Sequence, residues 1–528
     1  MFCTHSANHL ARMAPVPTPH PRRPRMPRWP DFRRIASVVA CLAVACSALP
    51  AEETTPDGNE RDESWQVIYM QGARIGYGNV VTETKTDSDG NTTITTDVLT
   101  HMVIRRFGQS LTMTTRQHTE ETEDGHLLRF RLVLDNPPNT STTTTGRVDG
   151  DVLHVTTNTG DKTTESTLEW DAETKSPAWQ DRQLADNPLQ EGETRSFEMY
   201  EPAFNQIVTI TLTNHGSTET ELLDGETVKG DKVTILYSLD ENLRITNFLD
   251  TDGEVLKTEA QMGILQTVTY TVDKETALEE LGTETLDLAI ETLVRIDPIE
   301  NAEDATKIVY RIQVAGGNAA RHFSEGDTQS IKKIDDDEIE LTVTALKPED
   351  ASGDNPPPDA GYLAPTRFLE CTDPRVIEHA TQAAGELPDS VSIALAMEKY
   401  VHTEMRNKNY ETGLATAAEV AEQMAGDCTE HSVLLAAMLR AREIPSRVAV
   451  GLVYSPRISA FAGHMWTEAF LNGQWVPLDA TLGQGGIGAT HIKVTDSSLD
   501  EDAPTPVTAF LPMMHLLGQM TIEVISTD

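Results

Sequence analysis

The chain has 528 residues and a formal net charge of −41, with 83 acids against 42 lysines and arginines. That length exceeds one ordinary core and implies roughly two to four domains. So acidic a balance argues against nucleic acid and anionic membrane as electrostatic partners and describes a surface that stays dispersed.

Basic charge is concentrated at the start. Residues 1–51 hold seven arginines and one acid, Asp31, so they carry about +6 and the remainder about −47. Arg33-Arg34 precede an apolar run from Ile35 to Leu49, followed by Pro50-Ala51-Glu52. A basic lead, a short apolar core and small residues before a polar segment describe an export signal over residues 1–51. The expected location is the periplasm, the cell envelope or the exterior. The apolar run is short for a membrane span, and no later run is long enough. Met26 as the start would leave a signal of ordinary length. Cys46, after Ala43-Val44-Ala45, resembles a lipoprotein acceptor without the usual leucine three residues before the cysteine; a lipid anchor there is the one membrane attachment on offer. Arg33-Arg34 as a twin-arginine signal is the weaker alternative. Only Cys371 and Cys428 lie beyond this segment, which excludes a disulfide scaffold. A Cys371–Cys428 bridge would remove Cys428 as a nucleophile.

From Trp65 apolar and polar residues alternate with period two. Strand-like runs recur near Thr92–Ile104, Leu127–Leu134, Val152–Thr157, Ile207–Thr213 and Lys232–Tyr237, rich in threonine and other β-branched residues. Gln71-Gly72, Asp87–Asn91 and Asp250–Gly253 are turn signals; the last two lack the spaced glutamate of a calcium loop. Residues 52–275 are therefore expected to form one large antiparallel β-rich domain. Residues 276–348 form a second β unit, with Ile308, Tyr310, Ile312 and Val314 alternating, as do Ile339, Leu341 and Val343. Residues 349–365, acidic and carrying Pro356-Pro357-Pro358, mark a linker.

Helical signals take over in residues 366–528. Asp373-Pro374 opens a helix to about Ala384. Another begins at Pro388-Asp389 with Ile393, Ala396, Met397, Tyr400 and Val401 on one face. Thr416–Glu419 fits a capping box for a short helix ending near Gly426. Cys428 then stands in the first turn of a helix with an apolar face of Leu434, Leu435, Met438 and Leu439. Exposed N–H groups and the positive end of the helix dipole favour a thiolate there, and the Cys428 amide can serve an oxyanion.

Arg447–Val453 and His464–Leu471 are strands, and Asn472-Gly473 is a strong two-residue hairpin signal. With that turn Leu471 faces Gln474, and Trp466 faces Asp479. His464 lies two residues from Trp466 and so shares its face, diagonal to Asp479. Pro477 places the return strand at an edge, where a bulge would upset this count. An aspartate holding one imidazole nitrogen leaves the other to take the thiol proton. Glu468 pairs with an arginine such as Arg447, and His491 is given a structural role. Gly485-Gly486-Ile487-Gly488 lacks the Lys-Ser/Thr of a phosphate loop. Nothing calls for a metal or a cofactor.

Residues 366–495 resemble the bacterial transglutaminase-like superfamily, a branch of the papain-like cysteine enzymes. The resemblance rests on Ala425–His431, Leu439-Arg440-Ala441 with Ile444–Arg447, Gly451–Tyr454, Gly463–Glu468 and Gly473–Thr481 taken together. It implies an α+β domain in which the cysteine helix packs against an antiparallel sheet, preceded by the two β-rich domains. It also implies a triad of Cys428 as nucleophile, His464 as base and Asp479 as orienter. Trp466, Gln423 and His431 are candidates for the substrate pocket, Gln423 as a weak oxyanion partner. Two function classes follow. One is an exported thiol enzyme acting on amide or peptide bonds of a protein or peptide, by hydrolysis rather than cross-linking. The other is a catalytically silent binding module of the envelope.

Overall fold

The computed structural model describes residues 53–54, 60–106, 108–135, 141–160, 162–262, 265–282, 286–407, 415–499 and 511–528. The expected export segment, with Cys46, lies outside them. Among the described residues no helix is long and apolar enough to cross a membrane.

The N-terminal region is one antiparallel sheet of 15 strands. Sequential neighbours pair from Glu60–Met70 to Lys162–Glu169, and again from Thr194–Glu201 to Leu265–Val272. The two runs join where Leu265–Val272 pairs with Glu60–Met70, Val272 opposite Trp65. Period-two sequence sets this up: in Gln206–Glu221 Val208, Ile210 and Leu212 are buried while alternate positions face out. Threonines meet across neighbouring strands, as where the hydroxyls of Thr142 and Thr159 lie 2.9 Å apart, and several, such as Thr100, Thr119 and Thr267, are buried. The sheet curls, because Phe130 and Tyr200, on strands far apart in the order, bring their rings to 5.1 Å. The strand runs expected from sequence all fall inside observed strands, which extend further at most ends.

A second sheet has four strands in the order Gln329–Lys333, Glu338–Thr344, Lys307–Val314 and Met520–Thr527. Its inner residues Ile308, Tyr310, Ile312, Ile339, Leu341 and Val343 are buried. Within 276–348, Val294–Arg295 pairs with Phe461 and Ala460 of a third sheet. That third sheet joins Ala460–Leu471 to Ser446–Ser455, and the latter to His491–Ser497; Gln474–Leu478 pairs with Ala460–Leu471.

Helices Pro374–Ala384, Ser390–Glu404 and Ala417–Gln423 surround helix Cys428–Ala441. Sequence predicts one apolar stripe on this last helix, yet every residue from Cys428 to Arg440 is buried. Its far face is covered by the third sheet, where Thr467 Oγ1 donates to Ser432 O at 3.0 Å. Buried Arg440 is satisfied by carbonyls, donating to Ala364, Ser446 and Ser498 at 2.7, 2.8 and 2.9 Å. A cation in the last turn also suits the helix dipole.

The acidic Pro-rich stretch 349–365 lies along the tip of the 460–478 hairpin. Gly353 N donates to Asn472 O and Asn355 N to Gly473 O, both at 2.9 Å. A Cβ on either Gly353 or Gly473 would lie 2.4 Å from the other's carbonyl oxygen, so only glycine permits this approach. The large sheet docks on the same C-terminal part. Lys162 Nζ donates to Thr366 O at 2.9 Å, and Arg367 Nη2 to Thr142 Oγ1 at 3.1 Å.

Candidate active site

The start of the cysteine helix is built from its own first turn. Gly426 has φ 142°, and a Cβ there would lie 2.4 Å from the Glu430 side chain. Asp427 is the N-cap: its Oδ1 accepts Thr429 N at 2.9 Å and the Thr429 hydroxyl at 2.6 Å. Glu430 Oε2 returns a bond to Asp427 N at 2.9 Å, completing a capping box. Cys428 is therefore the first helical residue, among N–H groups that lack partners within the helix. Cys428 and Cys371 are both free thiols and both buried.

The hairpin count from Asn472-Gly473 holds. Both turn residues have positive φ, 47° and 79°, as a type I′ turn requires. Leu471 pairs with Gln474 and the ladder runs without a shift to Thr467 opposite Leu478. The ladder ends there, one position short of Trp466 and Asp479. His464 Nε2 donates to Asp479 Oδ2 at 2.7 Å. Trp466 stacks on His464, with centroids 6.2 Å apart and planes at 27°. Cys428 is near enough to His464 to favour its charged form. With Nε2 committed to Asp479, Nδ1 is the nitrogen left for the thiol.

Asp479 is bound on both oxygens. Oδ1 accepts Thr481 N at 2.9 Å and Leu482 N at 3.2 Å. Oδ2 accepts His464 and, at 3.1 Å, His491 Nε2. Burial opposes charge on both His464 and Asp479, but their mutual attraction outweighs it. Asp479 is held well below the usual carboxylate range, by His464 foremost and by His491. His464 is pushed up to about 10 by the charge and hydrogen bond of Asp479 and by Cys428. His491, buried beside them, is lowered by desolvation against the pull of Asp479. Glu398, on helix Ser390–Glu404, accepts Asp479 N at 3.2 Å and Gly486 N at 3.4 Å. Burial, and then the Asp479 charge, push its carboxyl up to about 8.

The other sequence candidates fall in different places. His431 is buried one turn along the helix, its Nδ1 donating to Asp427 O at 2.6 Å. Gln423 is exposed at the last position of helix Ala417–Gln423. Glu468 pairs with Arg447 at 2.7 Å, as expected, and with Lys493 at 2.7 Å. Sequence reasoning missed His491 and Glu398 as neighbours of Asp479. A glutamate inside the apolar stripe of helix Ser390–Glu404 was a usable signal. His491 had none, since it reaches Asp479 through pairing of its strand with Ser446–Ser455, which shifts register between Val450 and Gly451.

Donor atoms of His464, Asp479 and His491 lie within 4.8 Å of one another, close enough to share one cation. The same atoms already bind each other, so an ion would have to replace the imidazole–carboxylate bonds.

No curated protein matches the sequence. Among solved structures, a candidate cysteine protease from Cytophaga hutchinsonii is 16% identical with a TM-score of 0.28, covering 43% of this chain and 89% of its own. A β-barrel-like protein of a domain of unknown function from Brucella abortus is 13% identical with a TM-score of 0.29, covering 40% of this chain and 95% of its own. The periplasmic domain of TgpA from Pseudomonas aeruginosa is 12% identical with a TM-score of 0.23, covering 34% of this chain and 92% of its own. Residues 378–480 match the model of the transglutaminase-like superfamily. That span holds the capped cysteine helix, the histidine strand and Asp479, and the C-terminal part of this chain carries a transglutaminase-like domain.

Proposed function

We propose that this chain is an exported thiol enzyme that attacks amide or peptide bonds of a protein or peptide substrate, with water as the usual acceptor. The observation that carries this reading is the buried 2.7 Å His464–Asp479 bond beside a cysteine at a helix start. Cys428 Sγ, its proton held by His464, adds to the carbonyl carbon. The oxyanion forms near the Cys428 amide and the positive helix end. His464 then gives its proton to the leaving amine as the C–N bond breaks, leaving a thioester on Sγ. Water, deprotonated by His464, attacks that thioester and releases the acid and the thiol. Asp479 keeps the imidazole oriented and stabilises its charged form throughout. Trp466 fixes the ring by stacking.

One observation favours the alternative, a catalytically silent binding module. Cys428, His464 and Asp479 are only 2%, 2% and 0% exposed. A peptide library scored by mass spectrometry separates the two readings. Cleavage, ammonia release or amine incorporation that disappears in Cys428→Ala supports the enzyme. Binding without turnover, equal in both proteins, supports the module.

A further inference from the structure

Two carboxylates, Asp427 and Glu430, lie within one turn of Cys428, and both are buried. Glu430 spends its oxygens on the amides of Asp427 and Ala415, at 2.9 and 3.1 Å. Asp427 Oδ1 is taken by Thr429. Asp427 Oδ2 faces Arg106 Nη2 at 3.3 Å, across 321 positions of sequence. Arg106 closes strand Thr92–Arg106 of the large sheet and is 1% exposed.

The hairpin that presents Arg106 is itself anchored. Arg105 N donates to Leu286 O at 3.1 Å, and Gly108 N donates to Asp287 Oδ2 at 2.7 Å. The end of the strand that carries Arg106 is thus held in place, with the guanidinium at the residue before Cys428. A buried ion pair is a weak device for stability alone, because apolar replacements often do as well. It does fix geometry, since the fold holds each partner in place. Loss of Arg106 would take this cation away from the N-cap carboxylate beside the thiol, leaving more negative charge to oppose a thiolate on Sγ.

We propose that Arg106 is a positioning residue of the active site supplied by the N-terminal sheet: by holding Asp427, it sets the approach of Cys428 to His464. The proposal rests on the thiol-enzyme reading above. It makes the β-rich region part of the catalytic apparatus rather than a spacer.

A double-mutant cycle on the full chain tests it, read as the rate of iodoacetamide alkylation at Cys428 by peptide mass spectrometry. Cys371 in the same digest is the internal reference, and melting curves report the fold. Arg106→Met slows alkylation of Cys428 by roughly tenfold to a hundredfold. Asp427→Asn keeps the cap through its side-chain oxygen, so Arg106→Met/Asp427→Asn recovers most of the loss. A merely structural role would couple the two changes in the melting curves as well, and would move the labelling of Cys371 together with that of Cys428. Arg106→Met reacting at the wild-type rate or faster, or additive losses in the double variant, overturns the proposal. If Arg106→Met does not fold, Arg106→Lys takes its place: it slows alkylation in the wild-type background and not in Asp427→Asn, and equal slowing in both overturns the proposal. Wild-type Cys428 reacting no faster than Cys371 sinks the thiol-enzyme reading and the proposal with it. A reactive Cys428 indifferent to Arg106 sinks the proposal alone.

Discussion

His464 Nε2 donates to Asp479 Oδ2 at 2.7 Å with both side chains fully buried. A charged pair in that setting depends on each partner for its ionisation. Asp479→Asn removes the anion that offsets burial of His464, so the imidazole drops from about 10 toward the neutral form. The amide can also select the wrong tautomer. We expect kcat/KM for amide hydrolysis to fall roughly 10³–10⁴-fold, by the logic of hydrolase triads. A loss under about tenfold in steady-state kinetics would show that Asp479 does not act through His464.

Stability should fall as pH rises. Glu398 sits at about 8 in the folded chain against an ordinary value of 4.5. Between these values the folded state holds a proton that the unfolded state has released, so each step upward in pH favours unfolding. The contribution is full below about 4.5 and gone above about 8. His464 acts in the same direction at higher pH: its stabilisation is complete below about 6.5 and lost as pH rises through about 10. Glu398→Gln keeps an acceptor for the Asp479 and Gly486 amides and cannot ionise. Urea melts between pH 5 and pH 8 should show a shallower decline for Glu398→Gln than for wild type. Parallel curves would mean that Glu398 does not titrate in this range.

Gly426→Ala tests the helix start. At φ 142° an alanine is strained, and its Cβ would lie 2.4 Å from Glu430. Moving Glu430 breaks its bonds to Asp427 N and Ala415 N. We expect a loss of about 2–4 kcal/mol in urea denaturation, together with slower labelling of Cys428. Unchanged stability would mean that the turn has room the geometry denies.

Zinc should inhibit. His464, His491 and Asp479 present donors within 4.8 Å, with the Cys428 thiol next to His464. Zn²⁺ favours imidazole and thiolate ligands. Binding would break the His464–Asp479 bond and silence the nucleophile. Micromolar Zn²⁺ should block alkylation of Cys428, EDTA should restore it, and His491→Phe should raise the inhibitory concentration by at least about tenfold. Activity lost to EDTA and regained with zinc would reverse this account of the cluster.

Most of the local architecture was legible because its causes are local. Asn472-Gly473 sets a two-residue turn, and the ladder places His464 and Asp479 without knowledge of the rest. Asp373-Pro374 and Thr416–Glu419 mark helix starts by rules a few residues long, and the observed helices begin there. Asp427-Cys428-Thr429-Glu430 is also a capping box, a signal that sequence reasoning passed over. What stayed hidden depends on distant packing. His491 reaches Asp479 across a strand pairing with a register shift, and Arg106 meets Asp427 across 321 positions of sequence. All-round burial of helix Cys428–Ala441 was equally unreadable, since alanine and serine positions fit a solvent face and a tight packing face alike.

The most direct test of the central claim is to trap the acyl-enzyme. A peptide substrate identified from the library is mixed with the full chain, quenched in acid within the first turnover and digested for mass spectrometry. The account predicts that the peptide containing Cys428 gains the mass of the substrate's acyl portion, sensitive to hydroxylamine and missing in Cys428→Ala. Turnover that persists in Cys428→Ala, or an acyl group found on any other residue, would contradict it.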